Sequence, residues 1–369
     1  MQKTERNHGI DLLKILLAIM VITIHINATG TGQVLRYATE SPWRQLVAIM
    51  TTLSYPAVNT YILITGYYSY TTHKDSRSVI KSLSLIWLSA LFFSLLGYTV
   101  SVIGFNTQFQ IVELLKRFFP IIRGVWWFYT VYFALLLISP FLNKMIDNMS
   151  MGEHRLLLLL LILLMSILPI FVAWNEQLGC NYGYSLIWFI TLYLVGSFLR
   201  RNKVFQFKIS FILIGMIGYT TSSIIIFLWP KMFCIFGITS TVSMYNSVFC
   251  LAQAVSLFVI FGNIYVPKVM KKNVTKISSV ILASYLLHCQ EDIETILWNG
   301  IHPASYANSS KLALVAIGII FGVLILSIMS ETLRKKVSKI LQIERKFIKI
   351  TDVAYLRLEK ILQVERNEK

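Results

Sequence analysis

The stretch Asp11-Leu12-Leu13-Lys14-Ile15, continuing to Ile24-His25-Ile26-Asn27, places titratable groups inside the first long apolar segment. Lys14 and His25 are eleven residues apart, which in an α-helix is about 16 Å of rise and about three turns. Their side chains therefore share a face, and Asp11 lies one turn before Lys14 on it. A charge in a membrane-spanning helix is costly and usually faces a cavity, a partner or a pathway. Singly, Lys14 could snorkel to the interface and His25 could be a packed histidine, but as an aligned set they indicate a functional site.

The composition is that of a membrane protein. The chain has 369 residues, of which 56% are hydrophobic, against about 45–50% apolar residues in soluble domains. Long apolar runs recur to about residue 330, which predicts a polytopic protein. The net charge of +17 requires no nucleic acid, because basic loops orient membrane proteins and anionic lipid attracts basic segments. Membrane lipid is therefore an expected partner.

The apolar pattern predicts an all-α fold of about ten membrane-spanning helices, each near the ~20 residues that a bilayer requires. The predicted spans are 10–28, 46–69, 78–103, 124–142, 155–173, 184–200, 209–229, 245–265, 277–297 and 311–333. Lys and Arg are more numerous in loops on the side of the N-terminus, which places both termini in the cytoplasm. The first segment lacks a small-residue cleavage site, so we expect a retained helix in the cell (plasma or inner) membrane.

Two segments are amphipathic rather than spanning. We expect residues 1–333 to form the membrane domain and 334–369 to form a basic amphipathic tail helix on the inner leaflet. A short coiled coil is the alternative for the tail. Segment 109–122 is too short to cross the bilayer and is predicted to lie at the outer interface.

Few established motifs are present. The sequence has no P-loop, GxSxG elbow or HExxH, and its four cysteines form no zinc-type cluster. We therefore expect no metal site and no tightly bound cofactor. A disulfide between Cys180 and Cys234 is left open. The remaining candidates are the intramembrane histidines His25 and His288, the latter with hydrogen-bonded packing as the alternative.

An ordered set of motifs resembles acyltransferase family 3, the integral-membrane acyltransferases that modify bacterial cell-surface glycans. Lys14 and His25 match the family's basic residue, ten residues and histidine, with lysine in place of arginine. Residues 59–67 match an apolar run that ends in a small residue and glycine, here Thr65-Gly66. Trp126-Trp127-Phe128-Tyr129 with 139–143, and the segments 192–196 and 284–288, resemble later motifs. The resemblance covers about 1–333.

The resemblance implies transfer of an acyl group, most simply acetyl, from cytoplasmic acyl-CoA as cosubstrate to a hydroxyl of a surface or lipid-linked glycan. His25 would be the general base, or a transient acyl carrier. The implied residues fall into three sets: catalytic His25, Lys14 and Asp11; donor-binding Lys14, Arg77 and Lys81; and acceptor-binding Trp126, Trp127, Tyr129 and His288. An aromatic belt at the headgroup level is the alternative for Trp126, Trp127 and Tyr129. Candidates for orienting His25 are Glu113, Asn59 and Tyr61, and Asp292 and Glu294 are candidates for the outer mouth.

Two other classes remain open. A multi-pass transporter or flippase of a sugar-lipid or small polar solute could also carry polar groups at the midplane, although the sequence shows neither an inverted repeat nor an evident broken helix. A membrane scaffold or sensor that acts through its tail is the third possibility. Turnover of acyl-CoA without a membrane gradient separates an enzyme from a carrier.

Overall fold

The computed structural model describes residues 6–28, 31–39, 42–72, 75–171, 177–233 and 242–367. Within these ranges the chain is predominantly helical and contains no strand. The α-helices, in chain order, are α1 His8–Asn27, α2 Val34–Tyr37, α3 Pro42–Ser54, α4 Ala57–Thr72, α5 Ser76–Gly104, α6 Ile111–Lys116, α7 Trp127–Asp147, α8 Met151–Ile162, α9 Leu168–Phe171, α10 Leu186–Arg201, α11 Ile209–Phe233, α12 Val248–Asn263, α13 Lys268–Ser278, α14 Ala283–His288, α15 Glu291–Ile301, α16 Leu312–Leu341 and α17 Ile343–Asn367.

Seven helical segments among the described residues are long and apolar enough to cross a bilayer. They are His8–Asn27, Pro42–Tyr70, Ser76–Gly104, Trp127–Asp147, Met151–Phe171, Ile209–Trp229 and Leu312–Leu341. Each overlaps a predicted span, so the helical multi-pass fold is confirmed. The predicted spans 184–200 and 245–265 appear as helices of 16 residues each, α10 and α12. The count of ten and the cytoplasmic termini stay predictions.

The predicted span 277–297 is wrong as a continuous helix. It is divided among the end of α13, the six-residue α14 and the start of α15. The buried Gln290 side chain accepts hydrogen bonds from the backbone amides of Asp292 and Ile293, so it caps a new helix where the apolar pattern runs on. Non-helical backbone at membrane depth is tolerated where it is buried in protein or lines a cavity. The expectation that no helix is broken is corrected with it.

Two glycines lock α4 against α10. A Cβ at Gly66 would come within 2.2 Å of the Tyr193 carbonyl oxygen, and a Cβ at Gly196 within 2.4 Å of the Leu63 carbonyl oxygen. Small residues let membrane helices approach this closely. The Thr65-Gly66 and Val195-Gly196 motifs therefore form one reciprocal helix–helix contact.

Helix α1 is central to the bundle and packs against α3, α4, α12 and α13. Its N-terminus is capped by Asn7, whose side-chain oxygen accepts from the amides of Gly9 and Ile10. Gly9 permits close packing on α12, because a Cβ there would lie 2.0 Å from the Phe261 carbonyl oxygen. This close approach fixes the position of the start of α1 against α12.

The tail is a helix attached to the bundle. Helix α16 continues through the predicted 333/334 boundary to Leu341, and Gln342, with φ of 55°, turns the chain into α17. Helix α17 packs on α5, where Arg77 donates two hydrogen bonds of 2.6 Å to Asp352. The tail is thus held at the start of α5.

Two other expectations concern segment 109–122 and the cysteines Cys180 and Cys234, which lie outside the predicted membrane spans. Within 109–122 the structure has only the short α6, whose apolar side chains include exposed Ile111, Val112 and Leu115. The possible disulfide involves Cys234, which lies outside the described residues. Cys180 is buried, with its sulfur 3.2 Å from the Met165 sulfur.

Candidate functional site

The break after α14 brings His288 against His25. His25 Nδ1 lies 2.7 Å from His288 Nε2, and the ring centroids are 4.9 Å apart. His288 Nδ1 contacts the Ser284 carbonyl oxygen one turn earlier in α14. The His25 carbonyl accepts a 2.8 Å hydrogen bond from the Gly32 amide, which holds the end of α1. The two histidines, 263 residues apart in sequence, therefore form one buried pair.

Cys289 completes a group of three metal-ligating side chains with this pair, and their ligand atoms lie within 4.8 Å of one another. Its sulfur is 3.1 Å from His25 Nδ1. Two nitrogens on one tetrahedral zinc would be separated by about 3.3 Å, given Zn–N distances of about 2.0–2.1 Å. The 2.7 Å separation of the histidine nitrogens instead matches a hydrogen bond.

His25 lines a small apolar cavity of about 30 Å³. Its walls come from five parts of the chain: Ala18, Val21, Ile24, His25, Val58, Tyr61, Trp127, Phe128, Tyr245, Leu282, Ser284 and Tyr285. This volume is enough for about one water molecule. The cavity is therefore too small to hold the two substrates that the sequence predicts at His25.

The four predicted acceptor residues separate in the structure. Trp127 lies on the cavity wall, and its ring stacks on Tyr245 at 5.9 Å between centroids. Trp126, Tyr129 and His288 are 1%, 4% and 1% exposed and are not on that wall. His288 contacts His25 but does not line the cavity.

Lys14 lines a second cavity of about 530 Å³, which shares the wall residues Tyr61 and Leu282 with the His25 cavity. The Tyr61 hydroxyl donates to the Lys14 carbonyl at 3.0 Å. Among the described residues, the Lys14 ammonium has no ion pair within 4.0 Å. It is therefore available to an anionic ligand in this cavity.

Asp11 is not brought to His25. Its carboxylate accepts hydrogen bonds from Arg6, at 2.6 and 2.9 Å, and from the Ser278 hydroxyl at 3.0 Å. Fourteen residues separate it from His25, which is about 21 Å along the helix. Asp11 thus ties α1 to α13, a structural contact that its position in the sequence did not reveal.

A third cavity, of about 630 Å³, opens at the N-terminal end of α1. Its basic wall residues are Arg6, Arg200, Lys203 and Lys271, and its aromatic ones are Tyr67, Tyr68, Phe205, Phe207 and Tyr265. Arg200 lies over the Tyr67 ring at 5.1 Å and Lys271 over the Tyr265 ring at 5.8 Å. Tyr68 also lines the Lys14 cavity, so the three cavities follow one another along α1. The sequence does not reveal this grouping, because these residues come from four separate segments.

The predicted donor residues Arg77 and Lys81 lie elsewhere. Arg77 is engaged by Asp352, and Lys81 Nζ is 4.0 Å from the same carboxylate. Neither lines the Lys14 cavity or the third cavity. Both side chains point to the tail instead, because its Asp352 carboxylate pairs with them at the start of α5.

None of the three residues proposed to orient His25 contacts it through a hydrogen bond. Asn59 binds the Trp188 indole and the Tyr245 carbonyl, Tyr61 binds Lys14, and Glu113 pairs with Lys116 at 2.6 Å. His288 makes that contact instead. The sequence named His288, but periodicity alone could not show that the helix breaks beside it.

The acidic residues predicted at the mouth are also divided. Asp292 lies 3.2 Å from Arg117, which additionally pairs with Glu291. Arg123 reaches Glu291 at 3.2 Å. Asp292 thus belongs to a group of ion pairs that joins the segment after α6 to α15, and Glu294 does not line the cavity at His25.

Residues 7–331 match the acyltransferase domain family known as acyltransferase family 3. The match covers nearly the whole chain, so the chain belongs to this family and is a membrane acyltransferase. The suspected family and the enzyme class are therefore confirmed. No curated protein and no solved structure matches this chain.

Proposed function

We propose that this acyltransferase moves an acyl group, most simply acetyl, from acyl-CoA to a hydroxyl of a surface or lipid-linked glycan, with His25 as general base. The observation that carries the proposal is the succession of cavities along α1. His8 lines the basic cavity, Lys14 the middle one and His25 the innermost one. One helix therefore connects a cationic pocket to a buried base.

The basic cavity suits the nucleotide end of the donor. Guanidinium and ammonium groups bind phosphates through charge-assisted hydrogen bonds, and aromatic faces stack on nucleobases. The pantetheine arm would then pass Tyr68 and Lys14 toward Tyr61, which borders both inner cavities. This assignment keeps Lys14 as a donor contact and replaces Arg77 and Lys81 with Arg200, Lys203 and Lys271.

The reaction needs one base and passes through one tetrahedral intermediate. His25 removes the proton of the acceptor hydroxyl while its oxygen attacks the thioester carbonyl. The carbon–sulfur bond then breaks, and the thiolate takes the proton back from His25 to leave as CoA. No metal or resident cofactor is required for this sequence. The enzyme contributes orientation and exclusion of water.

The acceptor would reach His25 past Trp127, from the membrane face opposite the basic cavity. Aromatic rings provide flat apolar faces for sugars, and Trp127 and Tyr245 are the stacked pair at this wall. The donor would enter from the cytoplasmic side of a cell membrane, because Lys and Arg are more numerous in the loops predicted to lie on that side.

A transporter is the second candidate, and the helix broken at 279–290 favours it because transporters commonly bind substrates at such breaks. Purified protein in detergent separates the two. An acyltransferase releases free thiol from acetyl-CoA without a gradient and loses this activity in His25→Ala. A carrier moves solute with no such chemistry.

Sealed inside-out vesicles test the sidedness. Acetyl-CoA in the bath should label glycan in the lumen while no CoA is transported. Labelling only when donor and acceptor share a compartment would contradict a site open to both faces and would indicate a cytoplasmic precursor as acceptor.

A further inference from the structure

We infer that His288 is a positioning residue that holds His25 in the tautomer with the proton on Nδ1 and the lone pair on Nε2. This inference rests on the proposed function for its catalytic meaning. The tautomer itself is inferred from the proton positions around the two histidines and does not depend on the proposed function.

The first step is the contact with Ser284. A backbone carbonyl oxygen can only accept a hydrogen bond, so His288 Nδ1, which contacts it, carries a proton. In a neutral imidazole the other nitrogen then bears a lone pair. The described residues give neither histidine an ion pair with a carboxylate, and a buried charge without a partner is costly. His288 Nε2 is therefore an acceptor.

The second step is the contact between the rings. The 2.7 Å separation of His25 Nδ1 and His288 Nε2 requires one proton between the two nitrogens. Since His288 Nε2 has none, His25 Nδ1 supplies it. This leaves the lone pair on His25 Nε2, which makes no contact with His288. A backbone carbonyl thus sets the tautomer of the proposed base through two rings.

The third step concerns Cys289, whose sulfur is 3.1 Å from His25 Nδ1 and 4.0 Å from Nε2. A thiol is activated as a nucleophile by a base that takes its proton. The nearer nitrogen already carries a proton and cannot do so. The geometry therefore favours direct transfer to the glycan hydroxyl over an acyl-cysteine intermediate. When Nε2 takes the hydroxyl proton, the His25 Nδ1–H bond to His288 stabilises the resulting imidazolium, and the proton then passes from Nε2 to the departing thiolate.

Two substitutions at one position separate positioning from packing. In His288→Gln the amide oxygen reaches the place of Nε2 and can accept from His25. In His288→Asn the shorter side chain can still bond to Ser284 but cannot reach His25. We expect His288→Asn to lower kcat by about 10–100-fold with an unchanged KM for acetyl-CoA, and His288→Gln to recover most of that loss. Cys289→Ala should keep wild-type kcat.

Nitrogen-15 NMR of labelled histidines gives a readout without turnover: His25 should be protonated on Nδ1 in the wild type and in His288→Gln. A folded His288→Asn protein with wild-type kcat, equal losses in both variants, an Nε2–H tautomer of His25, or loss of activity on dialysis against a zinc chelator would each overturn the inference. Full activity of His25→Ala would instead overturn the proposed function and leave the tautomer result intact.

Discussion

Helices α1 and α17 both carry titratable side chains, but they place them in opposite environments. Lys14 and His25 are turned into cavities of the bundle, whereas α17 has an exposed surface and is held to α5 by the pair Arg77–Asp352. Burying a charge is costly and exposing one is not. The difference indicates that the buried cation of α1, Lys14, is there for a ligand, while the cations of the tail need only water, lipid or an ion pair.

The sharpest test of this comparison is His25→Ala. Removal of a general base costs typically about 10²–10⁴-fold in rate, so kcat with acetyl-CoA should fall by that factor while the protein remains folded. Thr23→Val is the matched control on α1, because within the described ranges the buried Thr23 hydroxyl bonds only to the Ile19 carbonyl of the same helix. Wild-type turnover in a folded His25→Ala protein would rule out His25 as the base.

The next effect in size concerns Lys14. We expect Lys14→Met to raise the KM for acetyl-CoA by about 10-fold, since a charge-assisted hydrogen bond contributes about 1.5–3 kcal/mol, and to change kcat less. Lys81→Met is the control, because Lys81 is a cation on α5 that lines none of the three cavities along α1. Equal KM values for both variants would move the donor site away from α1.

The third test addresses the basic cavity. Arg200→Gln should raise the KM for acetyl-CoA several-fold while leaving the KM for S-acetylpantetheine unchanged, since the latter has no nucleotide to bind. Steady-state kinetics with both donors checks this. An equal effect on the two donors would mean that Arg200 acts through its hydrogen bond to the Tyr67 hydroxyl rather than on phosphate.

How much of this arrangement was predictable depends on whether it is local in sequence. The shared face of Lys14 and His25 follows from helical periodicity, and the long apolar helices follow from the length of the apolar runs. The break at 279–290 does not, because it depends on the side chain of Gln290 capping a helix inside an apolar run. The basic cavity and the Asp11–Arg6–Ser278 contact require tertiary packing. Arg77 was predicted as a donor contact from the family resemblance, and its ion pair with Asp352 could not be foreseen because that partner is 275 residues away.

The smallest expected effect comes from the tail. The Arg77 guanidinium, through its hydrogen bonds, holds the pKa of Asp352 below its ordinary value. A lowered pKa means that the pair is present at neutral pH and is lost only as the pH falls through that lowered value. Limited trypsin digestion of the wild type should therefore release α17 fragments at the same slow rate from neutral to mildly acidic pH, once each rate is divided by that of an unfolded substrate at the same pH.

Asp352→Asn should speed that release at neutral pH, because the carboxylate that binds both Arg77 and Lys81 is replaced by a neutral amide. The kcat and the KM for acetyl-CoA should remain those of the wild type, since none of these three residues lines a cavity on α1. Lys360→Gln, on the same helix, is the control for removal of one tail charge. A rise in KM in Asp352→Asn without a matching rise in the control would place the tail at the entrance for the donor. The opposition between α1 and α17 would then not hold.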